Sequence, residues 1–434
     1  MRGMRWNAGR AGLLTLAGVL ACAGPRAQAA PTGSDLPWGS YPTLTEGEGE
    51  RKVEDLRVEL RDLGSRVETT VRRLASRRNL SCFGGPCLLQ AFPLVYTKPR
   101  SGFWGGFRAN LTRLSDREDE PAFQSFLHFA RSDTREYQSS FGTDFPRIFW
   151  LPFDPRWKFQ FFTSYTTETR YYGSGPLAVT IGSRPDVDFR YALREYGFQT
   201  SLLLRTFRLD AQAANLFASF STIHHLPAAL APESKLFEDA PVGIGGGWSS
   251  RVGLGLQIDT RDNAFLPKKG WSFEVSGEVA GEPLGNFAYQ RLTMTDRRYI
   301  GNERFTLANR LTVDAFVGDP PFWELTSVGG LDPIRDVSYS RILRGYARGR
   351  FHEKLKFLES AEFRWRLRDT KFFGLNCEIT WIPVGLDVGR LGDQTAFSGS
   401  TGALLVFNKS FPVVVFASRS LEGSSFHLQF EMSY

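Results

Sequence analysis

Hydrophobic and polar residues alternate with period two through most of the chain after residue 80. The C-terminal segment is the clearest case: Phe426, Leu428, Phe430, Met432 and Tyr434 alternate with Ser425, His427, Gln429, Glu431 and Ser433. The same alternation recurs in 103–112, 250–260, 270–282 and 357–368. Period two places apolar side chains on one face of a β-strand and polar side chains on the other. The repetition predicts an all-β domain.

The segment 357–368 indicates what lies on each face. Its charged positions are Glu362, Arg364, Arg366 and Arg368, and its apolar positions are Ala361, Phe363, Trp365 and Leu367. In a soluble sheet the apolar face would need a second layer, and no helical pattern follows residue 80. A membrane barrel supplies lipid on one face and water on the other. The aromatic content of 14% also fits a membrane-interface belt.

We therefore predict a 16-stranded antiparallel transmembrane β-barrel over residues 81–434. Closure into a barrel removes strand edges that lipid cannot satisfy. Two long connections, 221–249 and 316–356, are functional candidates because the other connections are short. The strands are expected near 88–96, 103–112, 121–131, 133–145, 156–168, 188–205, 206–220, 250–260, 270–282, 286–299, 302–315, 357–368, 372–389, 398–408, 411–419 and 424–434.

The first 29 residues have the composition of a secretory signal peptide. Arginines precede a short apolar stretch at 13–20, and Ala-Gln-Ala at 27–29 is a small-residue cleavage site. Cys22 lies in a loosely lipoprotein-like context, which leaves lipid attachment open. Together with the barrel, this signal predicts the outer membrane of a Gram-negative bacterium.

Residues 30–80 are expected to form a linker followed by a periplasmic amphipathic helix. The helix is indicated at 46–79, where apolar residues recur at steps of three and four. It would form a short coiled coil, dock against the barrel or remain a solvated periplasmic helix, and the sequence does not separate these alternatives.

The net charge of +7 does not indicate nucleic-acid binding. Removal of the signal takes away four arginines and no acidic residue, which lowers the charge to +3. Among the cysteines, Cys82 and Cys87 flank a tight Phe-Gly-Gly-Pro turn. We predict that they form a disulfide in an exported protein, with two free thiols as the alternative.

No cofactor, metal or catalytic set is expected. His224 and His225 lack an acid or cysteine cluster around them, and no Ser, His and acid stand at a recognisable catalytic spacing. The glycines at 243–247 lack the Lys-Ser/Thr of a phosphate-binding loop. We therefore expect that the protein is not an enzyme.

Several motifs in the C-terminal half occur in a specific order. The connection 316–356 holds Arg344-Gly345-Tyr346, the next strand carries Glu362, and the strand after that carries Gly385-Leu386-Asp387-Val388-Gly389. Together these features resemble the BamA/TamA superfamily of outer-membrane barrels, the bacterial surface antigen type. The resemblance covers 250–434 strongly and 81–249 by pattern only.

The resemblance implies a lumen latch. In that family an Arg-Gly-aromatic loop tip folds into the lumen, where the arginine pairs with acids on the two following strands. Arg344 has a planar fork that suits two carboxylates, Gly345 permits a tight turn, and Tyr346 can pack on the wall. By strand parity Asp387 would face lipid, so its role requires a β-bulge near Pro383.

The resemblance also implies an assembly signal in the last strand, at Phe430, Met432 and Tyr434. The periplasmic POTRA domains of assembly barrels are expected to be absent, because only about 50 residues precede the barrel after the signal. The expected function is insertion of barrel proteins or lipid remodelling through a weak seam between the first and last strands. The alternative is a loop-gated channel or transporter. Expected partners are outer-membrane lipids, nascent barrel proteins and the barrel assembly machinery that inserts this chain.

Overall fold

The structure is a computed structural model, and it describes most of residues 78–429. All of these residues belong to one compact unit, Gly64–Tyr434. The predicted signal peptide, the linker and residues 46–77 of the predicted helix lie outside the described residues, as does 430–434 with the predicted assembly signal. The remaining undescribed positions are 83–84, 99–101, 114–122, 147, 149–150, 152, 154, 175–184, 210–211, 232, 264–265, 340–341, 373–374 and 408–410.

The described chain is almost entirely β-structure. Its strands are β1 Arg78–Cys82, β2 Gly85–Lys98, β3 Gly102–Arg113, β4 Phe123–Ser132, β5 Tyr137–Phe145, β6 Arg156–Arg170, β7 Arg190–Leu209, β8 Gln212–Ala229, β9 Gly247–Asp259, β10 Gly270–Ala280, β11 Tyr289–Gly301, β12 Phe305–Gly318, β13 Ser338–Tyr339, β14 Leu343–Arg344, β15 Leu355–Phe372, β16 Leu375–Leu391, β17 Gln394–Phe407, β18 Phe411–Ser420 and β19 Ser424–Gln429. A five-residue helix, α1 (Lys235–Asp239), and single 3-10 turns at Asp186–Phe189 and Glu324–Thr326 interrupt the connections.

Seventeen of these strands form one sheet, and β13 and β14 form a separate parallel pair. In this sheet each strand pairs antiparallel with the next strand of the sheet along the chain, and among the described residues the sheet is not closed. Sixteen of the strands, β2–β12 and β15–β19, match the sixteen predicted segments one to one, which confirms the predicted fold. The extra strand is β1 (Arg78–Cys82), which begins at the end of the predicted helix 46–79.

The two faces of the sheet differ as the alternation predicts. On β15, the residues Lys356, Ser360, Glu362 and Arg364 are buried, whereas Phe357, Phe363, Trp365 and Leu367 are exposed. Exposed apolar side chains elsewhere, such as Ile300 at 71% and Val317 at 68%, lie on the same outer face as their neighbours in the register. A sheet with a polar buried face and an apolar exposed face suits lipid on the outside. Among the described residues, no helix is long and apolar enough to cross a bilayer.

One predicted connection was too long. The sequence placed a loop at 221–249, but β8 continues to Ala229 and β9 begins at Gly247. The added part of β8 contains Pro227, although proline is normally excluded from a central strand. Pro227 pairs with Leu193 of β7 on one side of β8. On the other side, the pairing of β8 with β9 reaches only to His225, so the segment of β8 that contains Pro227 is an edge there and needs no N–H for a second partner.

Candidate functional site: the β12–β15 loop on the polar face

The connection between β12 and β15, residues 319–354, packs against the polar face of the sheet and has its own apolar core. Tyr346 and Phe351 contact each other with ring centroids 5.1 Å apart. Because such a cluster removes apolar surface from water, the loop is held by packing as well as by charge. The cluster consists of Val328, Ile334, Val337, Ile342, Leu343, Tyr346 and Phe351 from the loop, with Leu358, Leu391 and Ala396 from the strands.

Arg344 lies at the centre of the site and is fully buried. Its Nη2 and Nε donate to the two carboxylate oxygens of Asp387 at 2.6 and 2.9 Å, and its Nη1 donates to Glu362 Oε1 at 2.5 Å. The backbone N–H of Arg344 also donates to Asp387, at 3.2 Å. The guanidinium therefore binds one acid with two nitrogens and the second acid with a third. This geometry is available to arginine and not to lysine.

Further polar contacts compensate for the burial of the two acids. Asp387 also accepts hydrogen bonds from the hydroxyls of Ser360 and Ser398. Glu362 also accepts from Arg364, at 3.0 and 3.1 Å. Two acids thus face two arginines, and a buried ionic cluster with this balance avoids an isolated charge.

A β-bulge places Asp387 on the inner face. The register of β16 on β17 shifts between Ile382 and Gly385, and its register on β15 shifts at the same level. Before the shift Trp381 is exposed, and after it the even-numbered Val384, Leu386 and Val388 are exposed while Asp387 is completely buried. One extra residue changes the parity of a strand. The structure thus contains the bulge that the sequence argument required near Pro383.

Small residues give the loop room to approach the strands. Gly345 has φ +93°, which favours glycine, and its carbonyl accepts from the Ser420 hydroxyl at 2.9 Å. A Cβ on Gly389 would lie 3.1 Å from a methyl carbon of Leu343. The Tyr346 hydroxyl donates to the Phe397 carbonyl at 3.1 Å and accepts from the Phe397 N–H at 2.9 Å. The predicted latch residues are therefore brought together, while their action as a latch stays a prediction.

A second contact of the loop was missed by the sequence analysis. Arg350 Nε donates to both carboxylate oxygens of Glu422, at 2.8 and 3.0 Å, and both side chains are largely buried. Glu422 lies in the turn between β18 and β19. With the bond from Ser420 to Gly345, this ion pair ties the loop to the hairpin formed by the last two strands. Nothing in the local pattern around Glu422 indicates its partner.

Another buried network holds the start of the loop. Glu324 Oε1 accepts from Arg251 Nη1 at 2.8 Å and from the Ser249 hydroxyl at 2.7 Å. Burial raises the pKa of the Glu324 carboxyl, but the charges of Arg251 and Arg291 outweigh it and lower this pKa to about 2. Beside it, Asp314 on β12 pairs with Arg291. The sequence analysis did not identify this network, because no local pattern links Glu324 in the connection 316–356 to Arg251 and Arg291 on separate strands.

The middle of the loop reaches the N-terminal strands. Asp332 forms an ion pair with Lys158 of β6 at 2.8 Å, and the Arg335 guanidinium lies 3.5 Å from the centroid of the Phe162 ring. The Leu331 N–H donates to Glu274 of β10 at 2.6 Å. Next to this segment is a cavity of about 390 Å³, lined mainly by polar residues of β3–β9. The loop therefore fills only part of the space over the polar face.

His224 and His225 lie on β8 and not in a loop as predicted. His225 stacks on Trp323 of the β12–β15 loop, and its Nδ1 lies 3.1 Å from Glu195 Oε1. The part of the chain that the structure describes has no group of three or more His, Cys, Asp or Glu that could hold a metal ion.

Of the cysteines, Cys87 is disulfide-bonded and Cys377 is a buried free thiol. The side chain of Cys82 is outside the described side chains, so the Cys82–Cys87 pairing stays a prediction.

Comparison with known proteins identifies the family. The model of the Omp85 superfamily domain matches residues 128–411, more than half of the chain. Among solved structures, BamA from Haemophilus ducreyi lacking POTRA domains 1–3 is similar at 14% identity, over 86% of this chain and 77% of that chain, with a TM-score of 0.47. CdiB from Acinetobacter baumannii is similar at 10% identity, over 76% of this chain and 57% of that chain, with a TM-score of 0.41. No curated protein matches the chain. The chain belongs to the Omp85 superfamily, and its barrel is of the outer-membrane type.

Proposed function

We propose that this protein acts in the outer membrane of a Gram-negative bacterium and helps to insert other barrel proteins or to remodel lipid, through a weak seam between its first and last strands. The observation that carries the proposal is the edge of the described sheet: each of its seventeen strands pairs with the next strand of the sheet along the chain, and among the described residues the sheet is not closed. Membership of the Omp85 superfamily supports an insertion-type role.

An open seam has a physical consequence in a membrane. Hydrocarbon offers no hydrogen-bond partner to unpaired backbone N–H and C=O groups. Each such group therefore costs about several kcal/mol of free energy, as is typical of a buried unpaired polar group. An unpaired strand edge therefore attracts another strand or disturbs the lipid beside it. Either effect lowers the barrier for a nascent barrel protein to enter the bilayer.

The ionic site supports a role for the β12–β15 loop in holding the barrel in one state. Arg344 connects the loop to β15 and β16, and Arg350 connects it to the β18–β19 turn. The loop thus contacts the strands next to the seam. We expect no hydrolytic activity. The partners that fit the proposal are outer-membrane lipids, nascent barrel proteins and the barrel assembly machinery for the insertion of this chain.

The test is reconstitution of the purified protein into lipid vesicles, followed by addition of a urea-denatured small outer-membrane barrel protein. We expect its folding, measured by heat-modifiable gel migration, to be several-fold faster than in vesicles that hold a closed barrel of similar size. Transfer of a fluorescent lipid between leaflets is measured in the same vesicles. Equal folding rates and equal lipid transfer in both kinds of vesicle would reject the proposal.

A loop-gated channel is the second candidate, and the cavity of about 390 Å³ beside Asp332 favours it. Its polar lining includes Gln124, Gln160 and Gln199, which suit a path for polar solutes. Steady ion conductance in a planar bilayer, rising when 326–352 is deleted, would support the channel. No conductance in either protein would reject it.

A further inference from the structure

The outer face of the sheet carries two arginines and two tyrosines side by side on four neighbouring strands. Arg131 of β4 lies opposite Tyr137 of β5. Tyr165 of β6 lies opposite Tyr137 on one side and opposite Arg194 of β7 on the other. Both arginines are exposed, and Phe129, two positions before Arg131, is exposed on the same face. These four residues, the arginine–tyrosine row, therefore face the lipid side of the sheet.

The row lies near the extracellular end of the strands. Because successive strands alternate in direction, the β4–β5 turn beside the row is at the same end of the sheet as the β12–β15 loop. Other connections at this end are long, such as 171–189 and 230–246, whereas 302–304 and 373–374 at the opposite end are short. Outer-membrane barrels have long extracellular loops and short periplasmic turns. The row is therefore placed at the headgroups of the outer leaflet.

The protein does not neutralise the two arginines. Among the described residues, neither Arg131 nor Arg194 has an acidic oxygen within 4 Å, and this includes Asp133 in the adjacent turn. The parts of the β2–β3 and β6–β7 connections outside the described residues, 99–101 and 175–184, contain no Asp or Glu. An arginine fork matches the oxygens of a phosphate group. Two such cations at the headgroup level favour an anionic lipid.

The surface between the arginines suits a sugar. The rings of Tyr137 and Tyr165 have centroids 6.3 Å apart, and the Cζ of Arg194 lies 5.8 Å from the centroid of the Tyr165 ring. The next outward positions towards the membrane centre are the small Ser139 and Thr163, which lie opposite each other. A sugar has apolar C–H faces, which pack on aromatic rings, and hydroxyls, which bond to tyrosine, serine and threonine hydroxyls.

The level below these small residues is apolar. Leu127 lies opposite Phe141, Phe141 lies opposite Phe161, and all three are exposed. Phe198 continues this level on β7, with its ring centroid 4.6 Å from that of Phe161. Such a surface packs against hydrocarbon. From the extracellular side towards the membrane centre, the face thus offers contacts for phosphate, then sugar, then acyl chain.

We propose that the outer face of β4–β7 binds an outer-leaflet glycolipid whose sugar headgroup carries two phosphate groups. Arg131 and Arg194 each bind one phosphate, and Tyr137 and Tyr165 pack under the sugars. The two arginines are three strands apart, about 14 Å between their Cα atoms at the usual strand spacing, so one disaccharide can lie between them. The inference deepens the proposed function, which names lipid only as a class, and it rests on the outer-membrane location.

The test is native mass spectrometry of the full-length protein in detergent micelles, with lipid A, a diglucosamine lipid that carries two phosphates, as the probe. The double variant Arg131→Gln, Arg194→Gln removes both charges. The matched control is Arg298→Gln, because Arg298 is exposed on the outer face near the periplasmic end and pairs with Asp296 at 2.8 Å. The dissociation constant for lipid A should rise at least about tenfold in the double variant and by less than about twofold in the control.

A change in the lipid tests the same contacts without changing the protein. Wild type should bind lipid A about tenfold more tightly than the form with one phosphate, whereas the double variant should bind both equally. Equal dissociation constants for lipid A in wild type and double variant would overturn the site. An equally large loss of phosphatidylglycerol binding would overturn the glycolipid as its ligand. If the double variant does not assemble, the wild-type preference decides alone, and the lack of one would overturn the proposal.

The insertion assay separates this proposal from the proposed function. If lipid A binding depends on the row but vesicles with the protein fold a denatured barrel protein no faster than vesicles with a closed barrel, the glycolipid site stands and the insertion function fails. If wild type and double variant bind lipid A equally, the glycolipid site fails whatever the insertion rate.

Discussion

Replacement of Arg344 by alanine is the sharpest test of the loop site. The substitution removes the three side-chain donors that bind Asp387 and Glu362. Glu362 keeps Arg364 at 3.0 Å. Asp387 keeps the hydroxyls of Ser360 and Ser398 but, among the described residues, no cation within 4 Å. The damage therefore falls on Asp387, which is left as a buried carboxylate without a countercharge.

The magnitude follows from the burial. A buried ion pair broken from one side costs about 3–5 kcal/mol, whereas a solvated pair is worth under about 1 kcal/mol. Arg344 and Asp387 are both at 0% exposure, but two hydroxyls remain on the acid, so the lower end of the buried range applies. A cost of about 3 kcal/mol corresponds to roughly a hundredfold increase in the ratio of released to bound loop.

Protease treatment of whole cells measures this ratio. The loop carries cleavable arginines at 348 and 350, and we expect Arg344→Ala to be cut there much faster than wild type. Arg344→Lys should recover only part of the resistance, because an ammonium group cannot bind two carboxylates as a fork. Arg366→Ala is the control, since its ion pairs with Glu303 and Asp369 are exposed and lie outside the loop. Equal resistance of wild type and Arg344→Ala would refute the latch.

Four further predictions concern other parts of the molecule. Arg350→Ala should increase hydrogen exchange in the β18–β19 hairpin several-fold, because it breaks the ion pair with Glu422. The control Arg390→Ala breaks an exposed ion pair at the β16–β17 turn and should not; equal effects of the two substitutions would show that Arg350 does not hold the loop to this hairpin. The Glu324 pKa is lowered to about 2, so its stabilising contribution is present above 4.5 and is lost as pH falls from 4.5 towards 2. Pepsin should therefore cut the wild-type loop increasingly over this window, and a Glu324→Gln variant that shows the same pH dependence would contradict the assignment. Deletion of Tyr434 should lower the amount in the outer membrane at unchanged synthesis, and unchanged amounts would exclude a C-terminal signal. The whole protein should fractionate with the outer membrane and migrate differently on gels before and after boiling; soluble protein with no shift would contradict the barrel.

Much of the site was predictable because period-two alternation is a local property. A side chain two positions further along a strand returns to the same face, so Glu362 could be assigned to the inner face from its neighbours alone. Asp387 had the wrong parity, and the conflict itself located the bulge near Pro383. Arg344 was found through a resemblance in motif order, and its contacts with both acids agree with that order.

What the sequence by itself determined is the class of the chain: its strands, their inner and outer faces, and the loop that carries Arg344. The tertiary structure alone decided which distant residues meet. Three pairs join residues that are 72 to 174 positions apart in the sequence: Arg350–Glu422, Arg251–Glu324 and Lys158–Asp332. The pairing of β1 with β2 also appeared only there. Alternation fixes the face of a side chain, but its partner depends on strand register and on the path of the loop, which no local pattern encodes.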